Sequence, residues 1–186
     1  RREIDARIGD AIEDLYAGRL EAHVEELAHH FFRGEVWGKA ARYAREAGDR
    51  AAALCVDQKA AEFYERALEA LGHLPETADT ARVGIDIRLA MRVPLWRGGQ
   101  LDRLHEMYKA AEALALRHGM TDGLEAVYAF FAQYHWAKGQ QTEAIAYGRR
   151  CLEAAERRQD LGLPVTAHYY LEWSDYVLGP FPAVVG

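Results

Sequence analysis

The chain has 186 residues, half of them apolar and 28% charged, with a net charge of −6. The acidic balance, without a concentrated basic face, excludes a general nucleic-acid binder, because counterion release needs clustered cations. Only five prolines, among abundant alanine, leucine, glutamate and arginine, predict an all-α chain without strands.

The first predicted helix spans Arg2 to Tyr16, with Ile4, Ile8, Ile12 and Leu15 on one face and Gly18 as its C-cap. A second runs from about Leu20 to Phe32 and a third from Val36 to Ala47, where Gly48 reads as a left-handed stop and Asp49 as the next N-cap. A short piece from Arg50 to Val56 turns at Asp57 into a helix ending near Leu71. Gly72 to Thr80, with His73, Pro75 and Asp79, is a connector. Beyond it a long helix covers Ala81 to Arg97, bent or stopped by Pro94. In the helix from Leu101 to Leu116, residues Leu101, Leu104, Tyr108, Ala111 and Leu114 form one stripe. Asp122 and Glu125 have capping-box spacing, Pro164 suits a first helical position, and Pro180 and Pro182 end the last helix. Arg42 with Glu46, and Glu62 with Arg66, predict ion pairs on a solvated exterior.

Gly99, Gly139 and Gly179 lie forty residues apart, preceded at one offset by Trp96, Trp136 and Tyr176. In that register Met91, Phe131 and Leu171 share a column, as do Leu104, Ala144 and Val184, and Ala111 matches Cys151. A fixed period in this range marks a copied and stacked supersecondary unit. The expectation is a single repeat domain, with irregular hairpins over 1–72 and forty-residue units at 80–119, 120–159 and 160–186. The last unit has no partner helix, so the chain is expected to be a piece of a larger protein whose C-terminal edge could self-associate.

Cys55 and Cys151, widely separated, are expected to be unpaired apolar fillers in a reducing, cytoplasmic setting. The most apolar stretch, Val127 to Ala137, is interrupted by Gln133 and His135, and the opening Arg1-Arg2-Glu3 has no signal core. Neither a membrane span nor an export signal is expected.

Small and aromatic residues at Val24, Leu27, Ala28, Phe31, Ala40 and Ala47, then Ala60, Tyr64 and Ala67, then Tyr108 and Ala111, resemble the tetratricopeptide pattern. The strings Ala28-His-His-Phe-Phe-Arg-Gly-Glu-Val-Trp-Gly-Lys-Ala40, Phe63-Tyr-Glu-Arg-Ala-Leu-Glu-Ala-Leu71 and Ile85-Asp-Ile-Arg-Leu-Ala90 are similar to the C-terminal helical part of large bacterial signalling proteins. Those carry a class III adenylate or guanylate cyclase domain and an AAA-type ATPase domain before tetratricopeptide repeats. The resemblance implies a right-handed solenoid of about ten helices, with packing residues Ala28, Phe31, Ala40, Ala60, Tyr64, Ala67, Gly99, Tyr108, Ala111, Gly139, Ala144 and Gly179. It also implies that any cyclase or ATPase chemistry would lie in other domains. The sequence has no phosphate loop and no nucleophile elbow, and Ser174 is its only serine.

His23, Glu25, Glu26, His29 and His30 invite a metal hypothesis, but His29 and His30 point about 100° apart and the His-Glu-x-x-His order is missing. No metal and no cofactor are expected. Glu172 and Asp175 are the best paired carboxylates, expected to form a charged face. In the repeat register the inner surface presents Leu89, Val93, Trp96 and Arg97, then Ala129, Gln133 and Trp136, then Tyr169, Trp173 and Tyr176. Aromatics among Arg and Gln suit a peptide groove, and the same rings also suit packing between repeats. Both uses remain open. The leading expectation is a non-catalytic module binding a protein, a peptide or another domain of its parent, without nucleic acid or membrane. A small-molecule sensor is the alternative, and an unrecognised hydrolase a remote one.

Overall fold

A computed structural model describes residues 1–156. The elements are α1 (Arg2–Leu15), a 3-10 turn at Leu20–Ala22, α2 (Val24–Arg33), α3 (Trp37–Ala53), α4 (Asp57–Gly72), α5 (Ala78–Ala90), α6 (Arg92–Arg97), α7 (Leu101–Arg117), α8 (Thr121–Ala137) and α9 (Gln141–Glu156). The all-helical expectation holds, and no strand occurs among the described residues. Packing divides the chain into two units, Arg1–Met107 and the part from Tyr108 onward.

The helices end by one recurring device. Glu35, Cys55, Gly99, Gly119 and Gly139 all have φ between 57° and 72°. The amide after each bonds back to the carbonyl five residues earlier: Val36 to Phe31, Val56 to Ala51, Gln100 to Leu95, Met120 to Ala115 and Gln140 to His135, at 2.8–2.9 Å. Together with the bond from each left-handed residue's own amide to the carbonyl three residues earlier, this closes two carbonyls that a helix end otherwise leaves bare. The turns at 35 and 55, and those at 99, 119 and 139, are twenty residues apart, so the forty-residue period contains two similar helix-and-turn steps. Between 55 and 99 the spacing is two steps plus four residues, which separates the two registers at the connector. Gly99 and Gly139 therefore serve the turn, not repeat packing as expected. Both are exposed, and a Cβ on either would meet nothing within 4 Å.

The same steps order the core. Leu27, Ala47 and Ala67 in one register, and Met91, Ala111, Phe131 and Cys151 in the other, are all buried. The expected packing residues Ala28, Phe31, Ala40, Ala60, Tyr64, Tyr108 and Ala144 are buried as well, whereas Gly179 lies outside the described residues. In the first unit each helix packs on the next, α1 on α2, α2 on α3 and α3 on α4. It also reaches the one after: α1 touches α3 through Glu13, α2 touches α4 through the Glu25–Lys59 pair at 2.7 Å, and Arg45 of α3 lies 3.9 Å from Asp86 of α5. In the second unit Tyr108 of α7 meets Phe131 of α8 with ring centroids 5.2 Å apart, and α8 packs on α9.

Several boundaries differ from the sequence reading. Gly48 does not stop α3, which runs on to Ala53. A Cβ on Gly48 would stand 2.7 Å from Cδ1 and Cε1 of Tyr64, so this glycine admits a neighbouring ring instead of turning the chain. Asp49, rather than capping, accepts the Tyr64 hydroxyl at 2.7 Å. The break comes at Cys55, which is exposed and left-handed, not an apolar filler. Gly18 is not the C-cap of α1, which ends at Leu15 with Tyr16 as the cap. The expected long helix from Ala81 is interrupted between α5 and α6, at Met91. Pro94 has no N–H for the carbonyl of Ala90 and its ring crowds that carbonyl, so the interruption falls one turn before the proline. Asp122 and Glu125 do not form a capping box: Met120 is the N-cap of α8 without a side-chain bond, and Glu125 is buried. Arg66 does not pair with Glu62 but lies 5.9 Å over the Phe32 ring, while Arg42 and Glu46 do approach to 3.8 Å.

Candidate interaction surfaces

Four residues of α3, Gly38, Ala41, Arg42 and Arg45, recur at three- and four-residue spacing on one face. With Leu71, Leu74, Asp79, Thr80 and Val83 they line an open, mainly apolar cavity of about 280 Å³. Its far wall is held by a cap that the sequence reading missed. The Thr80 amide donates to the Thr77 hydroxyl at 3.2 Å, and the Thr77 amide donates to the Thr80 hydroxyl at 2.8 Å. The Thr80 hydroxyl also donates to the Pro75 carbonyl at 2.9 Å, which fixes the connector over the cavity. The small residues at 38 and 41 leave the hollow, the aliphatic ones wall it, and two guanidiniums rim it.

Of the two guanidiniums Arg45 is held loosely, whereas Arg42 donates a hydrogen bond to Glu13 and lies 4.2 Å over the Tyr43 ring. Arg45 lies 3.9 Å from both Asp49 and Asp86, and Arg42 lies 3.8 Å from Glu46 and 3.0 Å from Glu13. Their side chains are 37% and 54% exposed, a setting in which each pair contributes about 0.2–1 kcal/mol and can exchange for an incoming carboxylate. Behind them sits a tighter group. Glu13 accepts from Lys39 at 2.5 Å and from the Tyr43 hydroxyl. Burial by itself raises the Glu13 carboxyl, but the hydrogen bonds from Lys39 and Tyr43 outweigh it and leave the group below its ordinary value. Burial and the bond to Glu13 push the Tyr43 phenol up to about 12. His30 pairs with Asp5 at 3.1 Å, and that bond leads the effects that hold the Asp5 carboxyl below its usual range.

The groove residues expected from the repeat register meet different fates. In the first unit Leu89 and Trp96 are half-buried and Val93 is exposed. Arg97 is occupied: it donates to Asp57 at 2.6 Å, to the Ala52 carbonyl at 3.4 Å and to the Cys55 sulfur at 3.3 Å, tying α6 to the turn before α4. Its role is a staple on that turn rather than a free groove cation. In the second unit Gln133 and Trp136 are half-buried, whereas Ala129 is fully buried against Cys151 and belongs to the core. Tyr169, Trp173 and Tyr176, with Glu172, Asp175 and Ser174, lie outside the described residues.

The second unit also holds an aromatic stack that the sequence pattern left unmarked. Tyr147 packs against both Phe131, at 4.4 Å, and His135, at 5.3 Å, whose rings are 5.8 Å apart, and His135 Nδ1 pairs with the Gln140 side chain at 2.8 Å. Burial raises the Tyr147 phenol and pushes the nearby Cys151 thiol up to about 12, so neither is an activated nucleophile near neutral pH. Burial also keeps His29 below its ordinary value. No group of three or more histidine, cysteine or acidic residues is placed to hold a metal ion among the described residues. Glu25 and Glu26 are engaged by Lys59 and His23. No helix among the described residues is long and apolar enough to cross a membrane. The chain matches no protein-family model, and comparisons with curated proteins and with solved structures return no match.

Proposed function

We propose that the chain is a non-catalytic helical-repeat module that binds an extended or helical peptide segment, supplied by a partner protein or by another domain of its parent. The observation that carries this reading is the cavity between α3, the connector and α5. It pairs apolar walls from Leu71, Leu74 and Val83 with the loosely held Arg45 and the exposed Arg42, which is bonded to Glu13. Apolar area supplies affinity, and a guanidinium orients a carboxylate. The fitting ligand is a peptide that places an acidic residue beside a leucine-sized one. At about 280 Å³ and open on one side, the cavity suits one or two side chains better than an enclosed small molecule.

The helix contacts to the next element and the one after, with turns recurring every twenty residues, support stacked hairpins of tetratricopeptide type. The similarity of three segments to the helical part of cyclase–ATPase signalling proteins supports a docking or sensory role in a cytoplasmic protein of that kind. Screening an array of peptides with an acidic-apolar pairing, in buffer with chelator and without nucleotide, tests the reading. Saturable binding that Arg45→Glu and Val83→Asp each weaken at least about tenfold, with helical circular dichroism unchanged, is expected. Binding to no peptide, or binding indifferent to both substitutions, would overturn it.

A further inference from the structure

α1 faces its own unit with the polar side of the helix. Asp5, Gly9 and Glu13 point inward, onto His30, Phe31, and the Lys39–Tyr43 group respectively. The opposite side carries Ile4, Ile8, Ala11 and Leu15, spaced four, three and four residues apart, and all four are exposed, Ile4 to 61% and Leu15 to 74%. That spacing is two heptads of a coiled-coil seam. Isolated apolar residues on a surface are ordinary, but a continuous seam along a whole helix is an interaction surface.

We infer that this seam pairs with the same seam of a second copy of the chain, the two α1 helices running antiparallel. The charges beside the seam select this occupant. Arg7 and Asp14 both flank it on one side, seven residues apart, both are exposed, and neither takes part in an ion pair among the described residues. A twofold axis across the middle of the seam sets Ile4 against Leu15 and Ile8 against Ala11 of the other copy. It brings each Arg7 within two residues' rise, about 3 Å along the axis, of the opposite Asp14, giving two symmetric ion pairs. In a parallel arrangement Arg7 would face Ile12, and Asp14 would be matched only with Arg19, which lies beyond the end of α1. An anionic lipid surface is disfavoured, because Glu3, Asp5, Asp10, Glu13 and Asp14 outnumber the cations of the helix.

Two heptads make a small interface, so the dimer is expected to be weak, with Kd on the order of 10⁻⁵–10⁻⁴ M. Sedimentation velocity of the 186-residue chain over a loading series across that range tests it. The wild type should shift from monomer to dimer with loading, and Leu15→Lys and Ile4→Asp should each abolish the shift without loss of helical circular dichroism. Arg7→Asp and Asp14→Arg should each weaken the dimer by roughly three- to tenfold, and the double exchange should restore it. A wild type monomeric throughout, association that survives Leu15→Lys, or a double exchange that restores nothing would overturn the antiparallel pairing.

Discussion

Replacing Gly48 by alanine probes whether this glycine admits a ring or ends a helix. In the middle of α3 the substitution gains helix propensity of about 1 kcal/mol. Against that, the new methyl would stand 2.7 Å from two carbons of Tyr64, a ring buried to 2% exposure and tethered by its hydroxyl to Asp49. Overpacking of this kind costs about 1–3 kcal/mol, so Gly48→Ala should lose about 1 kcal/mol net. Removing the ring should reverse the sign: in a Tyr64→Leu background Gly48→Ala should stabilise by about 0.5–1 kcal/mol. Gly38 on the same helix, with nothing within 4 Å of its Cβ position, is the control, and Gly38→Ala should stabilise by about 0.5 kcal/mol. Urea unfolding followed by circular dichroism reads the wild type, the three single variants and the double variant. An equal cost of Gly48→Ala with and without the Tyr64 ring would refute the close-approach argument and return Gly48 to a backbone role.

The left-handed turns give a second prediction: Gly139→Ala, at φ 72°, should cost about 1–2 kcal/mol, whereas Cys55→Gly, at φ 58°, should stabilise by about 1 kcal/mol in thermal melts. The two thiols should differ in reactivity: at pH 8 the exposed Cys55 should react with a disulfide reagent within minutes, while Cys151, buried and with its pKa raised to about 12, should react only on unfolding. Glu13 and Asp5 have folded-state pKa values below the unfolded ones, so the stability they contribute is present above the unfolded carboxylate range and is lost as pH falls through the folded values. Glu13→Gln should accordingly flatten the loss of stability between about pH 5 and pH 3 relative to wild type, measured by urea unfolding across that range.

Helical class, the forty-residue period and most core positions were legible because they depend on apolar spacing along one chain. Leu27, Phe31, Ala47, Tyr108 and Ala111 are buried where the pattern puts them. What the pattern could not supply was the partner of each face. Gly48 looks identical whether it turns the backbone or admits Tyr64, and only the position of α4 decides. The apolar side of α1 reads as a core stripe, yet Phe31 takes up Gly9 on the other side, and Glu13 finds Lys39 and Tyr43 there. Cys55 carries no mark of a left-handed turn, because its twenty-residue spacing from Glu35 is visible only once both φ values are known. The cavity escaped notice because the repeat register directs attention to the last helices, while its small residues, Gly38 and Ala41, resemble core residues. The capping pair Thr77 and Thr80, close in sequence and three residues apart, was the readable signal for its wall.

The most direct measurement is a calorimetric titration of an acidic-apolar peptide selected from the array into the wild-type chain and into Arg45→Glu. A single-site isotherm, with affinity reduced at least about tenfold by the substitution and falling with added salt, is the result the peptide-module account predicts. No heat of binding to the wild type, or equal affinity for both proteins, would contradict it.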